Sequence, residues 1–214
     1  MQINYLGQSC FRLRSGQTSL VTDPFDPKYV GLPLPKTTAD IITISHNHRD
    51  HNDLTRIKNE DAFVISGPGE YEIKGISVCG FFSFHDREKT MPNAIYLMEI
   101  EGVSICHIGD LGCMLSDKEL EELDGVDVLL TRVGSTHSGQ LSIAESIKLI
   151  KQIEPSVVIP MHYRTKEMTD PRWEAYPPLS EFLKEFGSEG EVQEKLVVNK
   201  GSLPEEMKLI ILEK

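Results

Sequence analysis

The heptapeptide Ser45-His46-Asn47-His48-Arg49-Asp50-His51 places three imidazoles and a carboxylate directly behind a run of apolar residues at 41–44. Imidazole nitrogen and carboxylate oxygen are preferred ligands of zinc and similar borderline cations. Neutral imidazoles gain little from crowding together, so a plain solvated loop does not account for their density. The same grammar recurs downstream: apolar runs at 76–84, 103–108 and 157–161 lead to His85, Asp110 and His162. Rigid scaffolds present functional groups from the loops that follow their strands. If these strand ends share one edge, they assemble a site of five histidines and two aspartates: His46, His48, Asp50, His51, His85, Asp110 and His162.

Positioning that set requires many strands. Runs rich in β-forming residues fall at 5–13, 19–22, 41–44, 62–65, 76–84, 94–100, 103–108, 126–133, 157–159, 196–198 and 208–212, too many for one ordinary sheet. Glu101-Gly102 between two apolar runs predicts a tight hairpin. Helical patterns are fewer. Ser142 and Glu145 make a capping-box pair ahead of Ile147, Leu149, Ile150 and Ile153, and Pro155 closes that segment near 154. Ser116 and Glu119 form a second such pair before Leu120 and Leu123, and 179–186 is a third helix stopped by Gly187. Strands in two groups with helices outside predict an α/β fold of two packed sheets, a four-layer αββα sandwich. Residues 171–190 are the most loop-like long stretch, readable as a surface excursion or as a lid.

With 214 residues, 39% hydrophobic and 26% charged, the chain has the makeup of a single globular domain, 1–214, that can bury a core without staples. No apolar stretch approaches the roughly 18 residues needed to span a bilayer, and MQINYLGQ lacks a basic-then-apolar leader, so a soluble, cytoplasmic protein is expected. A net charge of -11 opposes unspecific attraction to nucleic acid or an anionic membrane. Cys10, Cys79, Cys106 and Cys113 contain no CxxC pair, which argues against a zinc ribbon or a thioredoxin-like site. The first three read as reduced, buried thiols.

Taken in order, His46-x-His48-x-Asp50-His51, His85, Asp110 within His107-Ile108-Gly109-Asp110-Leu111-Gly112, and His162 within Pro160-Met161-His162-Tyr163 resemble the metal motifs of the metallo-β-lactamase superfamily. Gly7-Gln8-Ser9-Cys10-Phe11, Thr22-Asp23-Pro24-Phe25 and Gly67-Pro68-Gly69-Glu70-Tyr71-Glu72 are similar to the short, single-domain branch that includes ascorbate phosphate lactonases. The resemblance implies one metal held by His46, His48 and His85, a second held by Asp50, His51 and His162, and Asp110 bridging the two. It implies as nucleophile a hydroxide shared between the cations, since metal binding lowers the pKa of water from 15.7 toward about 7; Asp50 and Asp110 are then the catalytic carboxylates. Zn2+ suits these ligands best, with Mn2+ or Fe2+ as alternatives. Histidine at position 48 separates the chain from flavin-partnered di-iron relatives, whose pattern has glutamate there. The chain departs from the branch at Gln8 and Cys113, where its members commonly show histidine; both changes bear on substrate preference and ligand orientation, and neither removes a ligand.

Five further residues surround this set. Asp23 is either a turn residue before proline or the hydrogen-bond partner of a ligand imidazole. His107 is either a core histidine or a site residue, and His137 either faces substrate or is an ordinary exposed loop histidine. Tyr163 and Arg164 directly follow His162, so one of them is expected to reach substrate, a guanidinium suiting phosphate or carboxylate. The leading expectation is a metal-dependent hydrolase of a small, anionic ester, lactone or phosphoester, with no membrane partner. A nuclease is disfavoured by net charge and by the lack of a basic stripe interleaved with aromatics. A metal-binding protein acting through a partner is the third class, because fold and ligands alone do not establish turnover. Oligomeric state is not legible in one chain of letters.

Overall fold

A computed structural model describes residues 1–214. The chain begins with β1 (Gln2–Gly7), β2 (Cys10–Ser15), β3 (Thr18–Thr22), α1 (Pro27–Val30), β4 (Ile41–Thr43), β5 (Phe63–Ile65) and β6 (Gly69–Ile73). It continues through β7 (Ile76–Phe84), β8 (Pro92–Ile100), β9 (Val103–His107), α2 (Asp117–Glu121), β10 (Val128–Arg132), α3 (Ile143–Ile153) and β11 (Val157–Met161). α4 (Leu179–Phe186), β12 (Glu191–Gln193), β13 (Leu196–Val197) and β14 (Lys208–Leu212) complete it. No helix is long and apolar enough to cross a membrane.

The strands form a six-stranded sheet, β13-β1-β2-β3-β4-β5, and an eight-stranded sheet, β12-β14-β11-β10-β9-β8-β7-β6. Alternation along a strand sends successive side chains to opposite faces. Phe11, Leu20 and Ile41 accordingly join the main core of 42 residues, which lies between the sheets and continues beneath α3, while their neighbours Cys10, Val21 and Ile42 join a second cluster of 10 on the outer face. Sheets covered on both faces read in sequence as continuous apolar runs, as these strands do. α3 covers the eight-stranded sheet through Ile147, Leu149, Ile150 and Ile153 and packs against α4. The outer layer of the six-stranded sheet is thinner, built from the one-turn α1, Leu32, Leu34 and the buried Trp173. The result is the αββα sandwich with unequal outer layers.

Several expectations shift. The apolar run at 5–13 is two antiparallel strands, because the chain reverses at Gln8, whose φ is 56°. β6 and β12 were not legible: both are edge strands that leave most side chains half-buried or exposed, so neither carries an apolar run. Residues 171–190 are less loop-like than they read, holding a short turn and the helix α4. Pro171–Ala175 forms a 3-10 turn capped by Asp170, Trp173 is buried, and the Ala175 carbonyl accepts hydrogen bonds from Thr136 N and Ser135 Oγ. All four cysteines are free, and Cys79 is half-buried where full burial was expected. The Glu101-Gly102 hairpin and the α3 capping box form as read, with Ser142 Oγ accepting from Glu145 N.

Strand direction collects the site. β3 runs parallel to β4, β9 to β10 and β10 to β11, while β7 and β9 are both antiparallel to β8. Within each sheet the carboxyl ends that precede the candidate ligands therefore point one way. The loops at this edge touch closely: a Cβ on Gly112 would fall 1.9 Å from the His85 carbonyl oxygen, and Gly112 N donates to Phe84 O at 2.8 Å. Gly112→Ala must push apart the loops carrying His85 and Asp110, backbone against backbone. It is expected to cost about 2 kcal/mol or more, as overpacking does, and to weaken metal retention, both measurable by thermal unfolding with and without added Zn2+.

Candidate metal centre

The loop after β4 turns tightly, with His48 N donating to His46 O and His51 N to His48 O. This brings the His46 ring centroid 4.5 Å from that of His48 and 4.2 Å from that of His51. His85 enters from the end of β7, 4.9 Å from His46, and His162 from the end of β11, stacked 5.3 Å from His51. Within each of three groups the ligand atoms lie within 4.8 Å of one another: His46, His48 and His85; Asp50, His51 and His162; His46, His51 and Asp110. Asp110 Oδ2 stands among them, 3.1 Å from His162 Nε2 and 3.5 Å from both His51 Nε2 and His85 Nε2. All seven residues are buried except His48, which is half-buried.

Partners behind the ligands orient them. Asp23 accepts from Ser45 N at 2.7 Å and Ser45 Oγ at 2.6 Å, and its Oδ2 lies 2.8 Å from His51 Nδ1. Because Asp23 can only accept when ionised, Nδ1 of His51 carries the proton and Nε2 faces the cluster. Ser45 Oγ lies 2.9 Å from His46 Nδ1 and, having given its own proton to Asp23, accepts there. His46 Nε2 is thereby also turned inward. Gln8 Nε2 reaches Asp50 Oδ2 at 3.1 Å and His162 Nε2 at 2.9 Å, and the Gln8 carbonyl accepts from His162 N at 2.9 Å. The Gly7-Gln8-Ser9 turn is thus fastened to the candidate ligand His162, itself in the left-handed region with φ 56°.

Charge follows from burial and company. Burial alone would raise the Asp110 carboxyl, yet His162, His51 and Arg132 outweigh it and hold the group well below the usual range. Asp50 behaves likewise beside His51 and His162. Burial alone would lower His51, but Asp110, Asp50 and Asp23 raise it well above the ordinary imidazole value. His162 is raised in the same way, chiefly by Asp110 against its burial. His46 is pushed well down by burial and by His51, and His48 down by burial and by His85.

The donor set fits borderline divalent cations. His51 Nε2 and Asp110 Oδ1 are buried without hydrogen-bond partners, and His46 Nε2 lies 3.0 Å from His48 Nδ1. Buried polar atoms are ordinarily satisfied, and an unsatisfied nitrogen and oxygen aimed into a nitrogen-rich space are what a metal site requires.

The remaining candidates divide. His107 is a core histidine: its Nε2 lies 2.9 Å from Ser9 O, and its Nδ1 accepts from Gly109 N at 3.2 Å. His137 is exposed and lines a cavity of about 520 Å³ that opens beside His85. Tyr163 lies against Tyr5, 6.0 Å between centroids, and Arg164 N bonds to Pro177 O; neither lines that cavity. The guanidiniums that do are Arg87 and Arg172, with Gln140 and Tyr176 in the wall. Arg172 carried no sequence signal, because it lies well past His162, inside the 3-10 turn that positions it. Cys113 is half-buried, its thiol raised chiefly by burial, and belongs to none of the ligand groups. A second cavity, of about 440 Å³, opens on the His46 side between Asn47, Asn52 and Phe82.

The profile of a β-lactamase superfamily domain matches residues 2–162, a span that holds all seven candidate ligands. A UPF0173 metal-dependent hydrolase of Methanosarcina mazei is 28% identical, covering 77% of this chain and 84% of its own. Another, from Methanopyrus kandleri, is 25% identical over 89% of this chain and 92% of its own. A Thermotoga maritima crystal structure, named as a candidate Zn-dependent hydrolase of the metallo-β-lactamase superfamily, superposes with a TM-score of 0.78 at 33% identity, covering 99% of this chain and 97% of that one. Human tRNase Z, short form, shares the fold at a TM-score of 0.53 and 13% identity, covering 76% of this chain and 92% of that one.

Asp23→Asn keeps the shape but loses the anion behind His51, and is expected to weaken metal binding by about 10–100-fold. Asp110→Ala should weaken it further; equilibrium titration with Zn2+ measures both. Ligand imidazoles must be neutral, so the raised His51 and His162 must shed protons on binding. Proton release at pH 7, read by calorimetry in buffers of different ionisation heat, should therefore shrink as pH rises, and apparent affinity should grow.

Proposed function

The chain belongs to the β-lactamase superfamily domain family, and from that membership we propose that it is a dinuclear metal-dependent hydrolase of small, negatively charged esters, lactones or phosphoesters. One observation carries the reading: seven nitrogen- and oxygen-donor side chains from four separate strand ends come together in three overlapping groups, buried except for His48, beside a cavity. The names of the relatives, metal-dependent hydrolases over most of their length, support the reaction class.

His46, His48 and His85 would hold one cation, and Asp50, His51 and His162 the other, with Asp110 a ligand of both. The nitrogen-rich set favours zinc. Bound there, such cations supply Lewis acidity and a water acidified toward neutral pH. The protein does the rest. Asp23 and Ser45 keep His51 and His46 in the one tautomer that leaves each Nε2 free to ligate. The half-buried His48 puts the reactive edge at the surface, within reach of substrate, while burial of the other ligands keeps bulk water from competing with their interactions. Arg87 and Arg172 on the cavity wall favour an anionic substrate, which two dications offset by only two carboxylates also attract. An acidic surface and the absence of a basic stripe support a small molecule over nucleic acid as partner.

The test is a panel of phosphodiesters, phosphomonoesters, lactones and thioesters, with metal content measured on the same samples. Stripped protein should be inactive, and about two equivalents of Zn2+ or Mn2+ should restore turnover. Asp110→Ala should lower kcat/KM by about a hundredfold or more. Metal-loaded protein that turns over nothing in the panel would reject the hydrolase reading in favour of a binding protein.

A further inference from the structure

We propose that Gln140 donates a hydrogen bond to the substrate oxygen that gains negative charge at the metal centre, and that Arg132 is the positioning residue that aims it. The reaction invoked rests on the hydrolase reading above; the binding test below does not.

Arg132 ends β10 and is fully buried, yet no carboxylate lies within ion-pairing distance of it. Its Nη2 donates to Gln140 Oε1 at 3.1 Å, Nη1 approaches the Asp110 carbonyl oxygen at 3.5 Å, and Nε has no partner. A buried cation without a direct ion pair is costly, and beyond its longer-range attraction to Asp110 and to the Tyr176 ring, 5.9 Å away, the one side chain it hydrogen-bonds is Gln140.

Guanidinium offers donors only. Gln140 must therefore turn its oxygen to Arg132, which settles the amide orientation that atoms of similar size leave ambiguous. Its NH2 group is then directed the other way, 3.4 Å from both ring nitrogens of His85. Equal, long separations from two ring nitrogens make a poor hydrogen bond, so the donor remains available at the cavity wall that Gln140 and His85 share.

The backbone beneath it is clamped. Arg87 Nε and Nη2 both donate to the Gln140 carbonyl, at 3.2 and 2.9 Å, and Gln140 N donates to His137 O. Arg87 is held in turn by Glu145, the capping-box residue of α3. A donor fixed before substrate arrives pays no reorganisation when charge develops, which is what makes preorganised donors effective. The oxygen it suits is the carbonyl of a carboxylic ester or lactone, or a phosphoryl oxygen.

Inorganic phosphate, a tetrahedral oxyanion, is the probe, titrated calorimetrically into zinc-loaded protein whose metal content is checked by elemental analysis. Q140E keeps the volume and the Arg132 contact but, ionised, has no proton to donate; Q140A removes the donor without adding charge. Both should retain zinc and bind phosphate at least tenfold more weakly than the native chain. If the panel yields a substrate, both should also lose about 10²–10³ in kcat. R132M should lose phosphate affinity comparably, and Q140A on top of it should add little, since the two act as one unit. Loss of hydrolysis across the whole panel with Gln140-dependent phosphate binding would retain this inference and reject the hydrolase. Phosphate affinity equal within twofold in native, Q140E and Q140A proteins, unmeasurable binding by all three included, overturns it. Fully additive losses in the R132M and Q140A pair overturn the positioning role of Arg132.

Discussion

Asp110 is a carboxylate buried among imidazoles, and most of the architecture around it serves to make that burial tolerable. An ionised carboxylate taken out of water costs several kcal/mol unless charge and hydrogen bonds replace the solvent. Here His51, His85 and His162 surround Oδ2, while Asp110 N donates to Asn93 Oδ1 at 3.0 Å and so anchors the backbone. Asn93 is itself held by Ser83 and by the Ile108 carbonyl. The carboxylate in turn raises His51 and His162, so each partly offsets the cost of burying the other.

Such a cluster survives only on a scaffold that does not relax around it. Parallel pairing of β3 with β4, and of β9, β10 and β11, puts the ends of long-range strands in register, and the buried core between the sheets holds that register. The connecting loops then accept unusual backbone. Gln8, Asp23 and His162 all adopt positive φ, which costs a non-glycine residue about 1–3 kcal/mol and persists where surroundings over-determine it. Each of the three touches the cluster directly or through one hydrogen bond.

The two cavities flanking the centre differ in character. The one beside His85 is walled by guanidinium, amide and phenol groups, and the one beside His46 by asparagines and Phe82. An acidic chain of net charge -11 thus places two arginines on the wall of the cavity beside His85, each supported by a carboxylate or carbonyl: Arg87 by Glu145 and Gln140, Arg172 by Asp170. Net charge describes the long-range field and solubility, whereas recognition is decided by the few groups that face the substrate.

The candidate donor set was legible in the letters because metal chemistry restricts the residue types and because its members follow apolar runs whose strand character is local. The capping boxes at Ser116 and Ser142 were legible for the same reason, all their contacts lying within three residues. Asp23 could be named as a candidate; that it meets His51 across 28 residues belongs to the packing of the β3 and β4 ends. Gln8 stood out only as a departure from a motif, and its contacts to Asp50 and His162 span 42 and 154 residues. Arg132 ends a strand that reads as apolar. Arg164, two residues past a ligand, bridges to Pro178, while Arg172 takes the wall of the cavity. Sequence spacing determines which chemistry the chain carries, since that depends on residue type and local strand or helix pattern. Which side chains face the site depends on where loops send the backbone between distant strands, and only the folded chain decides that.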